Sequence, residues 1–142
     1  MAEDRSPLVV YSHGNGGLRY VSSFLAGTWP RTASWWWHRI TPATLLIDAF
    51  AGTSDDRDQV AMDRPLDVSA TIDAVLAGGP GFEEVAAQTD PDSVGVIGHS
   101  FGGFTALAVA GGLGDTPPDQ RVDAIVRLRG GYAGSATTCC RP

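Results

Sequence analysis

Gly98-His99-Ser100-Phe101-Gly102-Gly103 decides the reading of this chain. It follows Ser93-Val94-Gly95-Val96-Ile97, an apolar run of strand length, and precedes Phe104-Thr105-Ala106-Leu107-Ala108-Val109-Ala110, which reads as helix. A serine at a strand-to-helix turn with glycines two residues before and two after is the pattern of a nucleophile elbow. The bend strains the serine backbone, and side chains at the flanking positions would collide. Ser100 is therefore expected to project from the strand end, over the positive end of the next helix. Gly98, His99, Gly102 and Gly103 are read as the structural elbow. G-x-S-x-G alone is a weak signal in a chain with 18 glycines among 142 residues. The strand before it, the helix after it and the additional Gly103 set it apart from an ordinary glycine-rich turn.

A second buried strand is expected over Pro7-Leu8-Val9-Val10-Tyr11, which is apolar at both parities. It runs into Ser12-His13-Gly14-Asn15-Gly16-Gly17. In such a loop, with His13, Gly14 and Gly16 around the turn, backbone N–H groups can face a cleft. Paired with an elbow, the loop supplies one oxyanion donor and the residue after the serine supplies the other. The donors are then the amides of Asn15 and Phe101. A phosphate-cradling loop is the weaker alternative, because neither a Lys-Ser/Thr pair nor G-x-G-x-x-G spacing is present. His13 belongs to this loop and is read as structural rather than as a catalytic base.

Net charge is −6 with no basic block, so neither nucleic acid nor an anionic membrane surface is expected as a partner. No apolar run reaches transmembrane length. Met1-Ala2-Glu3-Asp4-Arg5 does not resemble the start of a signal peptide, and the two cysteines, Cys139 and Cys140, are adjacent. A cytoplasmic location is the expectation, with no cofactor and no metal.

The stretch Gly27 to Pro42 holds all four tryptophans and fits neither a helix nor a clean strand. An aromatic platform is one reading. The genetic code offers another. Trp35-Trp36-Trp37 must be encoded TGG-TGG-TGG, and one nucleotide earlier this repeat reads Val-Val. The same shift across Trp29 to Thr41 permits Leu-Ala-Ser-His-Gly-Phe-Val-Val-Val-Ala-Pro-Asp-His, with the strand the sheet otherwise lacks. Residues from about Thr28 to about Leu45 are accordingly read as out of frame.

Arg19 to Ala26 is expected as a short helix, and Gly52 to Asp63 as a solvated acidic loop. Asp55, Asp56, Asp58 and Asp63 do not have calcium-loop spacing. Pro65 is expected to open a helix whose apolar positions are Val68, Ile72, Val75 and Leu76, stopped by Gly78-Gly79-Pro80-Gly81. Phe82 to Ala87 adds a turn, Gln88 to Asp92 a polar loop, and Val122-Asp123-Ala124-Ile125-Val126 a further parallel strand. Alternation of helices with apolar strands predicts an α/β fold, a mostly parallel sheet with flanking helices.

Three pieces, Pro7 to Gly14, Arg64-Pro65-Leu66-Asp67-Val68 and Val96 to Gly103, resemble the α/β-hydrolases. The nearest branch is that of the lipases, platelet-activating-factor acetylhydrolases and dienelactone hydrolases. The resemblance covers about residues 7 to 27 and 47 to 126, the front portion of a usually longer domain. It implies a serine hydrolase acting on small-molecule carboxylic esters through an acyl-enzyme, with Ser100 as nucleophile. It also implies that the third strand ends in Pro-Asp, as the shifted reading does. The chain departs from the family in one respect. The family order is nucleophile, acid, histidine, yet His13, His38 and His99 all precede Ser100. Asp115, Asp119 and Asp123 are the carboxylates that follow it. The tail from Arg127 to Pro142 has no periodic pattern. The expectation is thus a single, incomplete domain over 1–142, its C-terminal strands missing. A catalytically inactive remnant and a small acidic α/β binding module are the alternatives.

Overall fold

A computed structural model describes residues 5–16, 35–39, 56–128 and 136–140, the backbone path alone at 35–39 and 136–140. Its centre is a pair of parallel strands, β1 (Ser6–Ser12) and β3 (Thr89–His99). Strand β2 (Trp35–Arg39) lies outside β1, and β4 (Val122–Leu128) lies outside β3, both parallel to their neighbours. Strand β5 (Ala136–Cys140) closes the order β2-β1-β3-β4-β5 as an antiparallel edge. The α/β class and the mostly parallel sheet are as the sequence indicates.

Helix α1 (Arg57–Leu76) and the short α2 (Glu83–Gln88) lie between β2 and β3, and α3 (Phe101–Gly111) joins β3 to β4. One sheet face supplies Leu8, Val10, Val94 and Val96 to a core shared with Val68, Ile72 and Val75 of α1 and Ala106 and Val109 of α3. Burial of these side chains is the main drive for the assembly, about 1.5–3 kcal/mol for each large one. The other face buries Val9, Tyr11 and Ile97.

Several elements differ from expectation. Helix α1 begins eight residues before Pro65, because Asp56 caps it: its carboxylate accepts the Asp58 amide at 2.9 Å. Val60, Arg64, Val68 and Ile72, each four residues on, then form one buried stripe. Asp58 and Asp63 lie on this helix rather than in a loop. Pro65 sits inside it and offers no N–H to the turn before.

The supposed loop over Thr89 to Asp92 belongs to β3, with an irregularity where Pro7 and Leu8 face Asp90 and Val94. Pro91 in that interval cannot donate to a ladder. The tryptophan-rich stretch, read as neither helix nor strand, contains β2, in register Leu8↔Trp35 through Ser12↔Arg39. Aromatic residues favour strands, but a run without alternation gives no period to detect. The sheet therefore does not lack a strand here, and the out-of-frame reading is not needed to complete it. The patternless tail likewise contains β5, whose five residues are too few for a periodicity. The helix expected over Arg19 to Ala26 lies outside the described residues, as does Asp55.

At the amino ends of the strands, Arg121 binds Asp119 at 2.7 Å and also pairs with Asp73 of α1. The hydrogen bonds from Arg121 hold the Asp119 carboxyl down at about 2, with burial opposing. A depressed carboxyl stabilises the fold above its unfolded value near 4 and loses that contribution as pH falls toward 2. Asp119→Asn should therefore cost about 1–2 kcal/mol at neutral pH. It should also flatten the fall in urea midpoint between pH 4 and 2; an acid limb as steep as wild type would overturn this.

Candidate active site

The connection from β1 steps to one side, to β2, and that from β3 steps to the other, to β4. Strand order thus reverses between β1 and β3. In open α/β sheets the crevice at the carboxyl ends of such a pair is where ligands bind. Both segments singled out in the sequence end there: Ser12-His13-Gly14-Asn15 after β1, and Ser100 after β3.

Ser100 has φ 54° and ψ −113°, and among the described residues it is the one non-glycine with positive φ. Such a conformation costs about 1–3 kcal/mol and persists only where the surroundings enforce it. Here its N–H donates to Leu128 O of β4 at 2.9 Å, and its carbonyl accepts Gly103 N–H of α3, also at 2.9 Å. The side chain is exposed at the amino end of α3, whose first turn carries no acidic residue. First-turn amides of a helix have no intrahelical acceptor, and the helix dipole adds positive potential there. The Phe101 amide is one of these.

The elbow glycines are required by close approach. A Cβ on Gly98 would lie 2.5 Å from Gly103 N and closer still to the Gly102 carbonyl. One on Gly102 would lie 2.5 Å from the Ser12 carbonyl carbon and 2.9 Å from His13 O. The elbow is thus packed against the end of β1. The loop also abuts the serine: a Cβ on Gly14 would sit 3.2 Å from Ser100 Cβ and 3.1 Å from His99 Nδ1. Asn15 and Gly16 follow in a turn, Asn15 exposed and Gly16 at φ 68°.

His13 is 2 % exposed, and its Nδ1 lies 2.8 Å from Gly14 O. A carbonyl only accepts, so Nδ1 carries the proton in this contact. In a trans peptide C=O and N–H point in opposite directions. With the Gly14 carbonyl held by the buried imidazole, the Asn15 N–H faces away from it. In this contact His13 holds the loop backbone. His99 is half-buried beside Gly14, and His38 lies at the carboxyl end of β2, in register with Tyr11.

The three later carboxylates are elsewhere. Asp123 accepts the Val94 amide at 3.0 Å, midway along β3 and about 20 Å from Ser100 at strand rise. Asp119 is held by Arg121, and Asp115 is exposed in a turn.

Sequence reasoning missed one residue of this site. Arg64, 1 % exposed in the buried stripe of α1, donates from Nη2 to Ser12 Oγ at 2.8 Å and to the His13 carbonyl. Its guanidinium carbon lies 4.9 Å from the centre of the Phe101 ring, which also stacks on Phe104 and receives Arg57. Burial pulls Arg64 down to about 10, with Asp67 acting the other way, so it stays charged at neutral pH. A cation at every-fourth spacing among Val60, Val68 and Ile72 was the available signal.

No helix among the described residues is long and apolar enough to cross a membrane. Among the same residues, no three His, Cys, Asp or Glu side chains converge as metal ligands would. No family model and no curated protein matches the chain.

Proposed function

We propose that the chain carries a serine-hydrolase site of the α/β-hydrolase kind, directed at carboxylic esters of small molecules. In this reading Ser100 is the nucleophile, and the amides of Asn15 and Phe101 receive the developing oxyanion. The observation that carries it is the Ser100 backbone at φ 54° and ψ −113° at the strand-order reversal. A strained non-glycine residue points to function when the surrounding chain enforces it. Ser100 Oγ would attack the ester carbonyl, the alkoxide would leave with a proton, and water would release the acyl group. No cofactor is needed for these steps. We also propose a cytoplasmic location, since two adjacent cysteines give no disulfide framework.

A second reading is favoured by a specific observation. The sequence has no histidine after Ser100, and the later carboxylates Asp119 and Asp123 are held elsewhere. On that reading this chain keeps the binding half of the machinery and is a catalytically inactive relative.

A fluorophosphonate probe separates the hydrolase site from an accidental turn. Slow labelling confined to Ser100, lost in Ser100→Ala and accelerated by imidazole in the buffer, is expected. Added imidazole stands in for the general base. Label spread over several surface serines, unaffected by Ser100→Ala, would overturn the proposal.

A further inference from the structure

We propose that Arg64 is a positioning residue, clamping together the two chain segments that carry the Asn15 and Phe101 amides. The inference rests on the reading of those amides as oxyanion donors. They come from segments distant in sequence, yet must converge on one oxygen. Misplacement of about 1 Å costs about 100-fold.

Arg64 touches both segments. Nη2 holds Ser12 Oγ and the carbonyl of His13, fixing the peptide just ahead of Gly14 and Asn15. The guanidinium carbon lies 4.9 Å from the ring centre of Phe101, the residue whose amide is the other donor. Helix α1 thus carries one side chain that bridges the end of β1 and the start of α3.

Stability does not explain an arginine here. Its position in the stripe between Val60 and Val68 is one that an apolar residue would fill without desolvating a charge. Nε and Nη1 are buried and have no hydrogen-bond partner among the described residues. Buried donors left unmade are costly. A departure from the local rule with this cost is expected where function demands it. The planar fork suits the task, since one nitrogen can hold two acceptors while the flat face meets an aromatic ring.

The test uses the full chain with Arg64→Met, which keeps length and apolar stem, and Arg64→Lys. Fluorophosphonate labelling of Ser100 is resolved into the inactivation rate constant and the probe-binding constant. R64M should lower the rate constant about 10–100-fold, up to the loss that a misplacement of about 1 Å causes. Probe binding should not change. R64K, which keeps the charge and donors but lacks the planar fork that lies against Phe101, should fall between R64M and wild type. In parallel, backbone NMR should show the Asn15 and Phe101 amides shifted and faster to exchange in R64M, with Val126 of β4 unmoved.

A folded R64M whose rate constant is within twofold of wild type, with both amides unmoved, overturns the proposal. Should R64M fail to fold, wild-type values in R64K overturn it equally. If wild type never labels at Ser100, the hydrolase reading fails, and the amide shifts alone decide whether Arg64 holds the loop.

Discussion

Gly102→Ala should lower the melting temperature by about 10 °C or more, an effect of about 3 kcal/mol or above for a domain of this size. The added Cβ would meet the Ser12 carbonyl carbon at 2.5 Å and His13 O at 2.9 Å. These are backbone atoms at the end of β1, which cannot rotate away as a side chain can. Relief requires moving α3 off the sheet, and α3 carries Ala106 and Val109 into the main core. Overpacking a core with a methylene already costs about 1–3 kcal/mol, and here the obstacle is stiffer. Gly98→Ala should behave similarly, against the Gly102 carbonyl and Gly103 N at 2.5 Å. Gly111, at the far end of the same helix, is the control. Nothing lies within 4 Å of a Cβ there, so Gly111→Ala should be neutral or stabilise by up to about 1 kcal/mol. Melting of Gly102→Ala within two degrees of wild type would show that the turn is looser than its packing implies.

The same close approach explains why the elbow was legible in the sequence. Tolerance for nothing larger than hydrogen at 98 and 102 writes glycines at fixed offsets from Ser100. The strands beside it are buried, so Leu8 to Tyr11 and Val94 to Ile97 appear as short apolar runs bounded by turn residues. Less was legible where sequence pattern and environment part company. Strand β5, Ala136–Cys140, is an antiparallel edge five residues long, too short for its alternation to show. The first half of α1 was hidden by its acidic residues and by Pro65, which suggests a helix start rather than a helix interior. Arg64 broke the apolar stripe at the position where it has most to do. A rule that looks for hydrophobic residues every fourth position passes over a buried cation, and the buried cation is what ties α1 to the candidate site.

The chain as it stands should hydrolyse a short-chain p-nitrophenyl ester only a few-fold faster than its Ser100→Ala variant. A serine hydroxyl is almost wholly protonated at neutral pH and needs a base within hydrogen-bond reach. His13 is occupied through Nδ1 with Gly14 O, 2.8 Å away in a buried setting, so that nitrogen is not available as a base. His99 ends β3 just before Ser100, with its Nδ1 3.1 Å from where a Cβ on Gly14 would sit. Removing the histidine of a working triad costs about 10⁶ in kcat, while oxyanion donors and binding alone retain about 10³–10⁴ over water. The pH profile separates the cases. Without a histidine base, the Ser100-dependent rate should climb with hydroxide across pH 6 to 9, and imidazole in the buffer should raise it further. With one, the rate would level off above a value near 6.5, the ordinary imidazole range. Turnover at about 1 s⁻¹ or faster, levelling above neutral pH and lost in Ser100→Ala, would mean that His13, His38 or His99 serves as the base after all. Histidine-to-alanine variants at those three positions would then identify which.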